Sequence, residues 1–223
     1  VGIVGEVGAG KTCLVKALLG ELRPPTNTFT KSSNIRTAYC DQTPVIFNST
    51  VRANVLFGLP MDEPLYFECI HSSCLQEDIN SFADNDLTEI GEHGVNLSGG
   101  QRARLAFARC LYHAKYNDHH ENRTIHRVAI FDDPLSAVDV DVAHKMFTRG
   151  LLDQGKGLTR ILVVSSHMHL LEKADMIISL SKNGQMKDSG TYKEIFHLDH
   201  ANSGKDPVQS LVASPDLCHL SEV

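Results

Sequence analysis

The sequence lacks two features that would assign it to common functional classes, namely a membrane-spanning run and a basic surface. No apolar stretch reaches the roughly 18 residues needed to cross a bilayer, so if the protein works at a membrane, its membrane part lies outside this chain. The formal net charge is −6 and no run of lysines or arginines accompanies it, which argues against a nucleic-acid-binding protein. The 223 residues, 42% hydrophobic and 22% charged, suit a globular protein of one or two domains with a sizeable core.

Metal-ligand spacing is also absent among the cysteines. The six are scattered along the chain, at Cys13, Cys40, Cys69, Cys74, Cys110 and Cys218. This pattern favours reduced thiols and a cytosolic location over a disulfide framework. The sequence also has no initiating Met and no signal peptide, and it starts inside an apolar segment at Val1. We therefore expect a piece of a longer polypeptide.

Apolar segments of strand length alternate with segments of helical character. Strands are predicted over residues 1–4, 36–40, 127–131, 160–165 and 177–180, the last entering a hairpin at Asn183-Gly184. Helices are predicted over residues 11–19, 97–114 and 192–196, and residues 48–82 are mostly helical with Pro60 and Pro64 as breakers. This alternation predicts an α/β fold with a largely parallel sheet.

The first strand leads into a glycine-rich loop that matches the phosphate-binding pattern G-x-x-x-x-G-K-[ST]. Its residues are Gly5, Glu6, Val7, Gly8, Ala9, Gly10, Lys11 and Thr12, followed by Cys13. Glycines let consecutive backbone N–H groups face phosphate oxygens, and the following helix adds the positive end of its dipole. We expect Lys11 to bind the β- and γ-phosphates of a nucleotide and the Thr12 hydroxyl to bind Mg²⁺. The structural alternative is a glycine-rich turn that only happens to precede a lysine.

A later strand ends in two acids, Asp132 and Asp133, and resembles the Walker B segment of P-loop ATPases. In that segment the first carboxylate holds Mg²⁺ through water and the next residue polarises the attacking water. The alternative is an ordinary strand end with two solvated acids. The phosphate loop that precedes it, and the Pro134-Leu135 pair that follows, favour the Walker B interpretation.

The most informative segment is Leu97-Ser98-Gly99-Gly100-Gln101, which resembles the signature motif of the ATP-binding-cassette (ABC) ATPases. The resemblance implies an ATP site and a sandwich dimer, because in that family the signature closes over the nucleotide of a partner domain. Gln42 resembles the Q-loop glutamine, which contacts Mg²⁺ and the attacking water and couples to the membrane domain. Ser136-Ala137-Val138-Asp139 resembles the D-loop at the dimer interface, and His167 resembles the switch histidine that contacts the γ-phosphate.

The resemblance covers nearly all of residues 1–196 and implies an ABC ATP-binding domain there, with residues 197–223 as a C-terminal linker. It implies a RecA-like P-loop NTPase core with a largely parallel sheet, plus an ABC helical subdomain at about residues 48–114. The N-terminal part of the family's antiparallel β subdomain is expected to be missing. So is the adenine-stacking aromatic, which would precede Val1. The isolated chain, unlike the domain in its parent protein, is therefore expected to bind ATP weakly or to fold poorly.

Within the family, residues 42–47, 51–58 and 132–139 are similar to the C subfamily, the multidrug-resistance-associated branch, and specifically to its first nucleotide-binding domain. Asp133 stands where most hydrolysing ABC domains carry Glu. The shorter side chain draws the carboxylate back by on the order of 1 Å, and a misplacement of that size can cost about a hundredfold in rate. We therefore expect this site to bind nucleotide well and to hydrolyse it slowly.

Residues 112–126 form a polar, His-rich stretch that is longer than this connection usually is in the family. Its histidines are His113, His119, His120 and His126. A solvated surface insertion is favoured over a metal site, because no cysteine or ordered acid spacing supports ligation.

These resemblances imply a domain of an ATP-driven membrane exporter of organic anions, conjugates or drugs. ATP and Mg²⁺ are the implied cofactors. The implied partners are a second nucleotide-binding domain of the same polypeptide and transmembrane domains that contact the Gln42 loop region, at the cytosolic face of a membrane. No nucleic-acid partner is implied, and membrane association comes only through the parent protein.

Two other functions stay open. Asp133 keeps a regulatory nucleotide-binding module of a channel or receptor possible, although His167 favours a pump over the branch's chloride channel, whose first domain lacks that histidine. A soluble ABC ATPase, of the kind that acts in translation or DNA repair, is the third function. The sequence has neither heptads nor a basic face to support it.

Overall fold

The computed structural model describes residues 1–22, 34–92, 94–116 and 125–197. The main strands are β1 (Gly2–Gly5), β2 (Ile35–Cys40), β5 (His126–Asp132), β6 (Thr159–Val163), β7 (Ile177–Leu180) and β8 (Met186–Gly190). They form one sheet in the order β2-β5-β6-β1-β7-β8, in which β8 pairs antiparallel with β7 and the other neighbours are parallel. Two short strands, β3 (Ser49–Thr50) and β4 (Glu89–Ile90), pair with each other.

Seven α-helices are described around this sheet. They are α1 (Lys11–Leu19), α2 (Val51–Leu56), α3 (Glu63–Ser72), α4 (Gln76–Ser81), α5 (Gly99–Lys115), α6 (Val140–Lys145) and α7 (Tyr192–His197). The mixed α/β architecture with a mostly parallel sheet confirms the predicted fold class.

The register of the parallel strands brings the predicted site segments to one edge of the sheet. Asp132 lies opposite Val163, and Val163 lies opposite Ile3, so the ends of β5, β6 and β1 are level. Cys40, the last residue of β2, pairs with Phe131. Because the carboxyl ends of parallel strands meet at the same edge, the segments that follow these four strands converge there.

Two apolar layers cover the sheet. On one face, Val15 of α1 packs with Ile3 and Ile130. On the other, α5 buries a stripe at helical spacing that includes Ala103, Phe107 and Ala114. The Phe107 ring lies 5.0 Å from the ring of Phe131 on β5. A fully buried Phe stabilises the fold by about 1.5–3 kcal/mol, so this contact anchors α5 on the sheet.

The predicted helical region at residues 48–82 consists of three short helices, two of which, α2 and α3, pack against α5. Pro60 lies between α2 and α3, but α2 already ends at Leu56, where Phe57 in the left-handed conformation is the C-cap. The prediction that Pro64 breaks a helix was wrong, because Pro64 occupies the first turn of α3. First-turn N–H groups have no intrahelical acceptor, so a proline there loses no hydrogen bond.

A helical segment at residues 140–154 had no counterpart among the predicted helices. The Asp139 carboxylate begins α6 by accepting a hydrogen bond from the Val142 N–H at 3.0 Å. The chain then continues as a π-helix over Met146–Gln154. A π-helix hydrogen-bonds five residues apart, so its apolar residues leave the 3.6-residue spacing by which helices are recognised.

The remaining differences are small. β6 ends at Val163, so Ser165 lies in a bend rather than at the end of the predicted strand. The cysteines of the described part are free thiols, and burial raises the pKa of Cys40 and of Cys69 to about 12. Among the described helices, none combines the length and the apolar character needed to cross a bilayer. Of the predicted C-terminal linker, residues 198–223 lie outside the described residues.

Candidate active site

The glycine-rich loop joins β1 to α1 in a conformation that depends on glycine. Gly10 is the N-cap of α1 and has φ 84°, in the left-handed region that residues with a Cβ rarely adopt. No side chain caps α1, so the N–H groups of its first turn are not occupied by a capping side chain. Gly5 packs against β7, where an added Cβ would lie 2.7 Å from the Leu180 carbonyl oxygen. The loop is thus shaped to present backbone donors to an anion.

Lys11 spans this loop. Its ammonium group donates hydrogen bonds to the carbonyl oxygens of Gly5 at 2.7 Å and of Glu6 at 3.0 Å. Burial lowers the pKa of Lys11, while the charges of Asp133 and Asp132 act in the opposite direction. A cation held over the loop and facing two carboxylates is placed to exchange its carbonyl contacts for phosphate oxygens.

Asp132, the last residue of β5, is 1% exposed. Burial raises the pKa of its carboxyl group, and hydrogen bonding with the Thr12 side chain counteracts that rise. Its Oδ2 atom is buried and has no hydrogen-bond partner among the described residues. A buried carboxylate oxygen without a donor, next to a hydroxyl, fits an Mg²⁺ ion, which prefers oxygen ligands. Gln42 follows β2 in an exposed bend at the same sheet edge.

Asp133 differs from Asp132 in that both of its carboxylate oxygens accept hydrogen bonds. Oδ1 accepts a hydrogen bond from the Ser165 N–H at 3.0 Å, and Oδ2 accepts one from the Ser165 hydroxyl. Asp133 is 5% exposed and has φ 52°, in the left-handed region. Ser165 is a site residue that the sequence did not reveal, because a serine after a strand carries no pattern of its own.

His167 begins a 3-10 turn with φ 55°, and its ring makes an edge contact with the ring of His169, 6.2 Å between centroids. No hydrogen bond recorded among the described residues joins His167 to the phosphate loop or to Asp132. The neighbouring Ser166 hydroxyl is buried and has no described partner.

The signature residues lie at the start of α5, away from the phosphate loop in their contacts. Ser98 and Gln101 form a reciprocal capping box, in which each side chain bonds the other's backbone N–H group. Gln101 also donates to the Asp78 carboxylate at 3.0 Å. An added Cβ at Gly100 would lie 3.2 Å from the carbonyl oxygen of Ala137 in the D-loop, whereas one at Gly99 would meet nothing within 4 Å. Leu97 packs against the core.

An aromatic and cationic cluster lies next to the Gln42 loop. The Arg109 guanidinium lies over the rings of Phe47, at 5.3 Å, and Phe57, at 5.1 Å. It also donates to the carbonyl oxygens of Val45 and Asn54. Phe47 is 43% exposed and Phe57 is 50% exposed, so the cluster presents aromatic surface to solvent.

The described residues contain no group of three histidine, cysteine or acidic side chains that could hold a metal ion. His113 contacts the Leu56 carbonyl oxygen at 3.1 Å and the ring of Phe57, so it belongs to the cluster around Arg109. His119 and His120 of the His-rich stretch lie outside the described residues.

Comparisons with known proteins agree with this geometry. The sequence model of the ABC transporter family matches residues 1–116. The chain is 37% identical to mouse ATP-binding cassette sub-family C member 10 over 99% of its length, and 38% identical to human sub-family C member 2 over 87%. It is also 38% identical, over 86% of its length, to the multidrug resistance protein fer6 of Mycosarcoma maydis.

These relatives are much longer proteins, and the chain spans 14%, 12% and 13% of their respective lengths. The family match covers the phosphate loop, the Gln42 segment and the signature helix. The chain therefore belongs to the ABC transporter family, as an ATPase domain similar to those of its sub-family C.

Proposed function

We propose that this chain is the first nucleotide-binding domain of an ATP-driven membrane exporter, with the domain at residues 1–196 and a linker from residue 197. The convergence of the phosphate loop, Asp132 and Asp133 at one sheet edge supports this proposal most directly. In the parent protein the domain would lie at the cytosolic face of a membrane. Organic anions, conjugates and drugs are the proposed substrates, because the multidrug resistance protein fer6 is among the relatives.

In the proposed reaction, backbone N–H groups of residues 8–12 and the Lys11 ammonium bind the β- and γ-phosphates of ATP. Thr12, Gln42 and Asp132 would hold Mg²⁺, which neutralises charge on the phosphates. Water attacks the γ-phosphorus as the bond to the bridging oxygen breaks, and Asp133 polarises that water. His167 contacts the γ-phosphate once nucleotide and partner domain are bound.

The signature supports a dimer with a second nucleotide-binding domain. Gly99 faces open space, and Ser98 and Gln101 are stabilised within this chain. The segment is therefore a preformed surface, exposed at Ser98 and Gly99, and its described hydrogen bonds do not reach the phosphate loop of its own chain. In the proposed dimer, Leu97 to Gln101 close over the partner's nucleotide and residues Ser136 to Asp139 lie along the interface.

Transmembrane domains are proposed to dock next to the Gln42 loop. The exposed rings of Phe47 and Phe57, together with the 61% exposed Val45, give an apolar patch there. Arg109 ties this patch to α5, whose first residues belong to the signature. A contact at the patch can thus influence the signature through one rigid helix.

Slow hydrolysis at this domain's own site is the second part of the proposal. The Asp133 side chain is one methylene shorter than Glu, and both of its oxygens are engaged by Ser165. A carboxylate that is short and already bound is poorly placed to polarise water over the γ-phosphate. The intact signature would then serve mainly the hydrolysing site of the partner.

The test is Asp133→Glu in the full-length protein. We expect ATP turnover and nucleotide trapping at this site to rise by roughly ten- to a hundredfold, because the carboxylate regains about 1 Å of reach. Asp188→Glu, which makes the same change on exposed β8, is the matched control. Unchanged turnover together with unchanged trapping would contradict the proposal.

A regulatory module of a channel or receptor is the second candidate, favoured by the same engaged Asp133. In such a protein, ATP would close the dimer and hydrolysis would be secondary. Reconstitution of the full-length protein separates the two functions, because an exporter gives ATP-dependent substrate flux and a channel gives ion current.

A further inference from the structure

We propose that Ser165 is a positioning residue that holds the Asp133 carboxylate against the end of β6 and occupies both of its oxygens, which would otherwise be free to polarise the attacking water. The inference rests on the proposed slow hydrolysis and names a second cause for it, beyond the missing methylene. It concerns a residue that belongs to no motif of the sequence.

Ser165 donates one hydrogen bond to each oxygen of the Asp133 carboxylate. The Ser165 N–H group donates to Oδ1 at 3.0 Å, and the Ser165 hydroxyl donates to Oδ2. Hydrogen bonds to a charged acceptor are stronger than those between neutral groups, so this pair outweighs the side-chain entropy that free rotation would regain. The carboxylate therefore keeps one orientation.

The backbone of Asp133 is fixed as firmly as its side chain. Its N–H group donates to the Val163 carbonyl oxygen at 3.1 Å, and its carbonyl oxygen accepts from the Ser136 hydroxyl at 2.9 Å. Asp133 also holds a left-handed conformation, φ 52°, which costs free energy in a residue with a Cβ. Contacts on both sides of the residue thus maintain a conformation that the chain would otherwise leave.

The strand order places Ser165 between the ends of β5 and β1. β6 lies between these two strands in the sheet, and Ser165 follows β6 in a bend. Asp133 is therefore tied to the side of the sheet edge that carries β6. The carboxylate cannot turn to another orientation without breaking both bonds to Ser165.

The first test compares Ser165→Ala with Ser165→Thr in the full-length protein. Removing the hydroxyl releases one oxygen, and we expect kcat at this site to rise roughly three- to tenfold, a small part of what a well-placed base contributes. The KM for ATP should change less than twofold, since the phosphate contacts are intact. Ser165→Thr keeps a hydroxyl at this position, so its kcat should equal that of the unchanged protein. Ser189→Ala on exposed β8 is the control for a distant serine.

The background of Asp133→Asn separates this inference from the proposed function. With no carboxylate to release, adding Ser165→Ala there should give no gain in kcat. A lower or unchanged kcat for Ser165→Ala alone, or an equal gain in the Asp133→Asn background, would overturn the inference. A failure of Asp133→Glu to raise turnover would instead count against the proposed slow site, whatever the Ser165 variants do.

A readout without nucleotide completes the test. Thermal unfolding of the nucleotide-free full-length protein should show that Ser165→Ala and Asp133→Ala lower the Tm by less in combination than the sum of their separate effects, because both remove the same contact. Additive shifts would show that the two residues are not coupled, which also overturns the inference.

Discussion

Two helix N-termini in this domain, those of α1 and α5, differ in whether side chains of the chain cap their first turn. At α1 no side chain caps the first turn, and the nearby Asp132 Oδ2 and Ser166 hydroxyl have no described partner. At α5 the capping box closes on itself, and Asp78 binds both Gln101 and Arg104. Buried polar groups without partners are costly, so the first arrangement indicates a place that a ligand completes.

The second arrangement indicates a surface that is complete before any ligand arrives. The signature needs nothing from its own chain's nucleotide, and the space over Gly99 is open. The difference teaches that a helix N-terminus can bind a ligand when no side chain caps its first turn, and can serve as a rigid contact surface for a partner when a side chain caps it. This agrees with the proposed division in which one end binds ATP and the other serves a partner.

The largest effect that would sharpen this comparison is expected for Gly99→Asp. An acid at the first turn of α5 is favourable for the helix dipole and has free space, so the Tm of the chain should not fall. In the full-length protein, the new carboxylate would face the partner's phosphates, and we expect ATP turnover to fall by about a hundredfold or more through like-charge repulsion. Turnover and thermal unfolding measured on the same variant provide the check.

Gly99→Asn is the matched control, because it has nearly the same shape without the charge. It should lose much less turnover than Gly99→Asp. If Asp133→Asn damages turnover more than Gly99→Asp does, the division between the two helix ends is wrong.

A smaller effect, opposite in sign for stability and for activity, is expected for Asp132→Asn. Burial raises the folded-state pKa of Asp132 above its unfolded value, so stability falls as the pH rises from the unfolded pKa to the folded pKa, and the full cost of the charged carboxylate is present above the folded pKa. Removing the charge should raise the Tm of the nucleotide-free chain by a few degrees at pH 7. The gain should vanish as the pH falls below the ordinary Asp pKa of about 4, while Mg²⁺-dependent hydrolysis is lost.

The control is Asp188→Asn on exposed β8, which should leave the Tm unchanged at both pH values. A lower Tm for Asp132→Asn at pH 7 would show that its carboxylate is satisfied within the chain. The interpretation that the site at the start of α1 is left unsatisfied, unlike the start of α5, would then be wrong.

Much of this arrangement could be predicted from the sequence, because motifs with fixed spacing lie next to strands with clear apolar patterns. The loop at residues 5–12 and the strand that ends at Asp132 are such cases, and the structure places them at one sheet edge. The π-helix at Met146–Gln154 could not be predicted, because its spacing differs from that of an α-helix. Pro64 was misinterpreted because a proline signal does not distinguish a first turn from a break.

The Ser165 contact could not be predicted for a different reason. It joins residues 32 positions apart, at the ends of two strands whose pairing is visible only in the fold. The role of Asp78 is similar, since a carboxylate on α4 reaches Gln101 on α5. Motifs report residue types at short spacing, whereas the groups that hold those residues come from distant parts of the chain.

The smallest effect is expected at the cap that distinguishes α5 from α1. Ser98→Ala removes the side chain that accepts from the Gln101 N–H group, and losing such a cap costs about 1 kcal/mol. Gln101 keeps its hydrogen bond to Asp78, so the signature segment should become more mobile while it stays bound to α4. Turnover of the full-length protein should therefore fall only a few-fold. Ser98→Asp preserves the cap and should preserve the Tm measured by thermal unfolding. Loss of turnover in Ser98→Asp at an unchanged Tm is expected if Ser98 lies against the partner's phosphates, as the proposed dimer requires, and unchanged turnover in Ser98→Asp would contradict that placement.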